Sequence, residues 1–276
     1  MESFILDWLL PVITPYLDSK QFGGVKGLST VHYLIRFLDF THKNLDHREP
    51  HAVMSALIDL SKAFNRIDHN LVIEDLYNMK CPAWLLRLVI SYLSRRSLIV
   101  EYNGASTLPK ALPGGSPQGT LLGGIIFIVK FNGAFLRPSI PRPNLPAFND
   151  SSLYHTKYFD DASVLCSINL KKLLQNEVKD RPRPFTFNES SGLFLPSGHN
   201  LLQYNLQEFS EFAAINKLKV NHEKTKILPF NFSHKYRFPP ELTISSSETI
   251  ECVTSAKILG LIISSDLKWK EHIEYW

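Results

Sequence analysis

The stretch KYFDDASVLC, residues 157–166, sets Asp160 and Asp161 side by side in the middle of a hydrophobic hairpin. LYHTKYF before the pair and ASVLCSI after it both have the length and composition of short strands. Aspartate is common in turns because it bonds its own backbone and tolerates unusual angles, so a bare pair is explained by a turn alone. The rest of the chain gives the pair weight. A second apolar run of strand length, AVMSALIDL, ends in Asp59, and a strand that carries a carboxylate to its end is a common way to deliver chemistry.

Working outward, Ser29-Thr30 is placed to cap a helix through VHYLIRFLDF. HNLVIEDLYNMK and AWLLRLVISYLSRR have helical apolar spacing, with Cys81-Pro82 as punctuation between them. Asp68 and His69 read as a helix start. SLIVEYNG reads as one strand closed by the hairpin signal Asn103-Gly104. ALPGGSPQG is a glycine and proline loop leading into a buried helix, LLGGIIFIV, at 121–129. Leu202, Leu206, Phe209 and Ala213 form one stripe of an amphipathic helix. TKILPF, TIECV and KILGLII are strand-like, and the segments 137–152 and 179–199 read as a proline-rich excursion and an irregular insertion. Helices and strands do not alternate regularly, which predicts an α+β fold and not a doubly wound parallel sheet.

The 276 residues are 44% hydrophobic and 12% aromatic, a composition that excludes disorder throughout. A net charge of +4 permits an anionic partner without demanding one. Cys81, Cys166 and Cys252 are widely separated and odd in number, which suggests neither a zinc site nor a disulfide framework. LLGGIIFIV is far shorter than the ~20 residues of a membrane helix. Glu2 and Asp7 replace the basic start of a signal peptide, so the expectation is no membrane and an intracellular site, nucleus or cytoplasm.

Carboxylates converging from separate elements suit Mg2+, a hard ion bound through one or two carboxylates plus substrate phosphates. Two such ions in one site serve phosphoryl transfer. Without a cation the same packing is costly, because neighbouring carboxylates repel and one is driven to keep its proton.

At this point the chain resembles a known family. ALIDLSKAFNRIDH at 56–69, GGSPQGTLLG at 114–123 and YFDD at 158–161 look like the first three palm motifs of reverse transcriptases, in order. The likeness is closest to polymerases of retrotransposons that lack long terminal repeats (LINE type). QFGGVKGLST is similar to the fingers motif, NHEKTK to the lysine-bearing fourth motif, and KILGLIISSDLKW to the hairpin that grips the primer. The resemblance implies a right-hand polymerase palm, an antiparallel sheet with helices packed on one face. Partial fingers at 1–50, a palm over 51–276 with a fingers insertion around 70–112, a primer-grip hairpin near 251–264 and little of a thumb complete that expectation.

The implied activity is RNA-directed DNA polymerase, a nucleotidyltransferase using an RNA template, a DNA primer, deoxynucleoside triphosphates and two Mg2+ ions, with Mn2+ as a substitute. Asp59, Asp160 and Asp161 are the implied metal ligands, aided by the Leu60 carbonyl. Phe64 falls at the gate against a ribose 2′-hydroxyl, although core packing would also explain an apolar ring there. Gln118 and Gly119 are placed under nucleotide and template, Tyr158 and Phe159 at the primer end. Lys26 is placed at the triphosphate, Lys224 and Lys226 near the leaving pyrophosphate, and Leu259 and Gly260 in the primer grip. Two departures stand out: Val25 occupies a position that is often arginine, and Phe159 one that is often alanine. The alternatives are a repurposed palm that binds nucleic acid without catalysis and, against Phe64 and YFDD, an RNA-directed RNA polymerase.

Overall fold

The computed structural model describes residues 2–135, 152–171, 198–233, 241–245 and 248–275. The excursion at 137–151 and the insertion up to residue 197 lie outside the described residues. In chain order the elements are α1 (Glu2–Ile13), α2 (Thr30–Leu45), β1 (His51–Ile58), α3 (His69–Asn78), α4 (Ala83–Leu93), β2 (Ser97–Leu98), β3 (Glu101–Tyr102), β4 (Ala105–Ser106), β5 (Lys110–Ala111) and α5 (Leu121–Phe131). There follow β6 (Leu153–Tyr158), β7 (Asp161–Asn169), α6 (Gly198–Ile215), β8 (Lys226–Phe230), β9 (Glu241–Ser245), β10 (Glu248–Glu251), β11 (Ser255–Ile258), β12 (Leu261–Ser264) and α7 (Lys270–Tyr275).

The central sheet is antiparallel in the order β6-β7-β1-β8. Its edge strand β8 carries Pro229 opposite Met54, a position where a missing N–H is tolerated. β1 is buried along nearly its whole length, which its unbroken apolar run already signals, because a strand covered on both faces does not alternate. Its even-numbered residues Ala52, Met54, Ala56 and Ile58 pack with α1, α3, α4, α5 and α6. Val53, Leu165, Leu228 and Phe230 point the other way, onto Tyr33, Leu34 and Phe37 of α2 and onto Ile258 and Ile263 of the β11–β12 hairpin.

The α+β palm sheet therefore stands, with one correction: helices do not cover a single face. α2 lies on the opposite one because Tyr33, Leu34 and Phe37 recur at helical spacing and need apolar surface, which the odd-numbered side of β1 supplies. The predicted stripe on α6 is buried as expected, with Leu202, Leu206, Phe209 and Ala213 all inside the larger core. Asp68 caps α3 by accepting from the Asn70 and Leu71 amides at 3.0 and 3.2 Å. SLIVEYNG is not one strand: Ser97–Leu98 pairs with β5 and Glu101–Tyr102 with β4, across a turn with Asn103 and Gly104 at positive φ. Leu98, Ile99 and Val100 are exposed there, so no core holds the segment straight.

Beyond edge strand β6 the N-terminal segment adds a short parallel pairing between Gln21 and Lys157. The Lys157 amide donates to the Lys20 carbonyl at 3.0 Å and the Phe22 amide donates to the Lys157 carbonyl at 2.8 Å. Below this contact lies a buried ionic cluster. Lys157 Nζ stands 2.8 Å from Asp18 Oδ2 and His155 Nε2 stands 2.8 Å from the same oxygen. Burial works against the charge on both Asp18 and Lys157, yet the His155 hydrogen bond and the Lys157 charge hold the Asp18 carboxyl well below the usual range. That direction decides the state of the pair, because Lys157 has carbonyl acceptors in addition to Asp18.

A carboxyl held low in the folded chain contributes stability that is complete above its ordinary value of 3.8 and is lost as pH falls through its folded value. Burial lowers His155 from its ordinary 6.5, so the unfolded chain takes up that proton first and stability begins to fall below about pH 6.5. The charged groups facing the cluster are Lys20, Asp18, His155 and Lys157. The expected result in urea denaturation is a contribution from His155 and Asp18 that is lost in two steps as pH falls, the first below about pH 6.5 and the second below about pH 4, while the raised Asp161 carboxyl works in the opposite sense between them. Asp18→Asn should make the decline below about pH 4 shallower; parallel acid limbs in the two proteins would refute this assignment.

Candidate active site

Strand pairing assembles the carboxylates. In the β1–β7 register Ile58 faces Ala162, so one residue further brings Asp59 level with Asp161. Residues directly opposite on antiparallel strands stand about 5 Å apart at Cβ and share a face. β6 and β7 are joined by a two-residue turn, Phe159-Asp160, closed by the Tyr158–Asp161 pair, with Phe159 at a φ of 52°. Two neighbouring strand ends thus present three carboxylates.

Burial, then the charges of Asp160 and Asp59, push the Asp161 carboxyl up to about 6, although its residue keeps an open side to solvent. Burial and Asp59 also raise Asp160, against a hydrogen bond from its own amide. Among the described residues no group of three or more His, Cys, Asp and Glu side chains is arranged to hold a metal ion. The three carboxylates nevertheless repel one another at a half-open site, and the chemistry of such oxygen donors is that which a hard divalent cation would neutralise.

The fourth motif backs Asp59 from the chain side. The Asp59 amide donates to Thr225 Oγ1 at 3.2 Å, its carbonyl accepts from the Asn221 amide at 2.9 Å, and Leu60 bridges Val220. Thr225 is fully buried; sequence reading missed it between two lysines that drew notice for their charge. Of those, Lys224 stands exposed, whereas Lys226 is tied to Glu251 at 2.8 Å.

Over the carboxylate turn lies the loop of residues 21–27. A Cβ at Gly23 would come within 2.5 Å of the Phe159 nitrogen and 2.9 Å of its ring, and Gly24 and Gly124 border the same ring. Glycine is therefore required to seat Phe159, and the three glycines explain how this chain accommodates a large residue in the turn. Phe64 is half-buried and stacks on Phe127 with centroids 4.5 Å apart, while Phe159 lies 6.4 Å away. Phe64 consequently belongs to the core and to the site wall at once. The PGGSPQG loop is held to the Phe64 turn by the Gly115 amide on the Ile67 carbonyl and the Ser116 amide on the Phe64 carbonyl, both 2.8 Å. His69 Nε2 meets the Gly115 carbonyl at 2.8 Å, a tie beyond helix capping.

Gln118 and Gly119 are exposed at the tip of this loop, Gly119 at a φ of 78° in open space, and Lys26 is exposed in the loop above the turn. Leu259 and Gly260 form the two-residue turn of the β11–β12 hairpin, both at positive φ, with Leu259 packed against the α2-side core.

A carboxylate-bearing turn and a strand-end aspartate on a four-stranded antiparallel palm sheet define the palm of a template-directed polymerase. The chain belongs to the reverse transcriptase (RNA-dependent DNA polymerase) family, whose sequence profile matches residues 1–263. It is 29% identical over 172 residues to a probable RNA-directed DNA polymerase from transposon BS of Drosophila melanogaster, covering 61% of this chain and 18% of that protein. It is 23% identical over 276 residues to the RNA-directed DNA polymerase from mobile element jockey of Drosophila funebris, covering 99% and 26%. The chain thus spans about a quarter or less of the length of these relatives. Among solved structures, apo telomerase from Candida tropicalis truncated from its C-terminal domain matches with a TM-score of 0.56 at 13% identity over 97% of this chain and 44% of that one. Telomerase from the same organism in complex with a TWJ fragment of telomeric RNA matches at 0.57, 15% identity, 98% and 38%. These likenesses support the fold.

Gly23→Ala is expected to force the carboxylate turn aside, costing about 1–3 kcal/mol of stability in urea denaturation. A cost near zero would show that the loop yields instead.

Proposed function

We propose that this chain carries out RNA-templated addition of deoxynucleotides to a primer 3′-hydroxyl, as part of a retrotransposon-type reverse transcriptase. The observation that carries this reading is the strand register that levels Asp59 with Asp161 beside Asp160, at the open end of the palm sheet. Asp59, Asp160 and Asp161 would hold two divalent ions, which supply charge neutralisation at the transferring phosphoryl group and activation of the attacking oxygen.

The chain's own residues do the rest. The exposed loop with Lys26 lies above the Phe159 turn, where a cation can meet triphosphate oxygens. Phe64, its ring fixed by stacking on Phe127, offers a rigid wall that a ribose 2′-hydroxyl would strike. The exposed Gln118-Gly119 tip offers backbone and amide groups without a side chain at Gly119, which suits close approach of template and nucleotide. Lys224 stands exposed after the strand pairing that backs Asp59 and would neutralise the leaving pyrophosphate. The β11–β12 hairpin, anchored through Ile258 and Ile263, would seat the primer through Leu259-Gly260. Residues 1–50 and the insertion at 70–112 would act as fingers, although α1 packs on α4 and α5 and α2 on the sheet itself.

No helix among the described residues is long and apolar enough to cross a membrane. We place its work in the nucleus or cytoplasm, where RNA template and DNA primer meet.

Primer extension on an RNA template with Mg2+ should be lost by at least about 10²–10³-fold in Asp160→Asn with primer–template binding retained. Binding by both proteins with extension by neither would sink the catalytic reading for this chain. Phe64→Val should raise ribonucleotide incorporation relative to deoxynucleotide by about tenfold to a hundredfold, measured as the ratio of kcat/KM values.

A further inference from the structure

We infer that Asp18, Lys157 and His155 form a positioning device that fixes the height of the carboxylate turn against Asp59; this rests on the polymerase reading above. Lys157 lies three residues before Asp160 on edge strand β6 and is fully buried. Its ammonium is gripped on several sides, by Asp18 Oδ2 at 2.8 Å, the Asn132 carbonyl at 3.1 Å, the Ala134 carbonyl at 3.2 Å and the Phe131 carbonyl at 3.5 Å. The Phe131 and Asn132 carbonyls are the C-terminal end of α5 and Ala134 lies just past it, where a helix presents partial negative charge.

Asp18 is saturated in turn. Its Oδ2 takes His155 and Lys157, and its Oδ1 accepts from the Lys20 amide at 3.0 Å. Its own amide donates to Asn132 Oδ1 at 2.7 Å, and Asn132 Nδ2 donates to the Tyr16 carbonyl at 2.9 Å.

Stability does not require this arrangement, because a buried ion pair can usually be replaced by packed apolar residues without loss. A fully satisfied ionic cluster adds fixed distances and directions, which a sliding apolar contact lacks. Strand β6 is where such fixing matters. Among the described residues it has one strand neighbour, β7, and its other edge carries the short pairing with Lys20 to Phe22. A shift of β6 along β7 would carry Asp160 away from Asp59. The N-terminal segment that supplies Asp18 continues directly into Gly23 and Gly24 against Phe159. The cluster thus holds the turn from below by the same segment that covers it from above.

Lys157→Met alone would leave the buried Asp18 without its lysine, so the informative protein is the Asp18→Asn/Lys157→Met double variant of the 276-residue chain. Urea denaturation checks its fold, Mn2+ titration followed by electron paramagnetic resonance reads the carboxylates directly, and single-nucleotide extension gives kcat and the deoxynucleotide KM. The expected outcome is a folded protein whose Mn2+ affinity and kcat both drop about tenfold, about 1.4 kcal/mol each, with KM unchanged. A folded double variant with Mn2+ affinity and kcat within about twofold of the parent would overturn the inference and leave the cluster a purely structural feature. If the double variant does not fold, Asp18→Asn alone, which keeps the carbonyl contacts of Lys157, is judged by the same two readouts. Should the parent chain itself not extend a primer, the functional reading fails, while the Mn2+ comparison still decides whether the cluster positions the carboxylates.

Discussion

The buried pair between Lys157 and Asp18 is the contact on which the site depends, because it joins three pieces of chain that backbone pairing links only through one short bridge at Gln21 and Lys157. Lys157 belongs to edge strand β6, Asp18 to the segment after α1, and the carbonyls that share the ammonium to the end of α5. Removing one partner of such a pair generally costs about 3–5 kcal/mol, since the other is left charged in a dry interior. The Phe159-Asp160 turn begins two residues beyond Lys157, so the geometry of the carboxylates follows from how this strand is anchored.

The sheet itself depends on being covered twice. β1 sends alternate residues into two separate cores, and α2 with the β11–β12 hairpin closes the side away from α5 and α6. That double burial leaves the strand ends open, and the polar groups of the site gather there. The Tyr33 hydroxyl meets Ser163 Oγ at 2.5 Å on the α2 side, two residues along from Asp161, and burial, with a contribution from the Asp161 charge, keeps that phenol protonated. An aromatic column continues the support from the larger core: Phe131, Phe127, Phe64 and Phe159 follow one another at ring distances of 5.5, 4.5 and 6.4 Å. Side chains at the site therefore inherit their positions from the interior.

Much of this was legible in advance. Asp59 could be read as a strand end because AVMSALI is an apolar run of strand length, and the Asp pair as a turn because strand-like segments flank it. The α6 stripe was legible for the same reason, a period that matches one geometry. The covering of both sheet faces was less so: α2 is amphipathic, but nothing in its own residues says which face of which sheet it will meet. Thr225 and the Lys157 cluster were hidden because a single threonine or lysine carries no local signal of burial, and exposure is the commoner fate of both.

By itself the sequence determined the kinds of element, the order of the motifs and the residues that carry charge at the site, because periodicity, turn chemistry and side-chain type are local properties. Tertiary structure alone decided which carboxylates meet, which glycines make room for Phe159 and which lysine is buried. Those outcomes depend on register and packing between segments more than a hundred residues apart, such as Asp18 with Lys157 and Asp59 with Asp161.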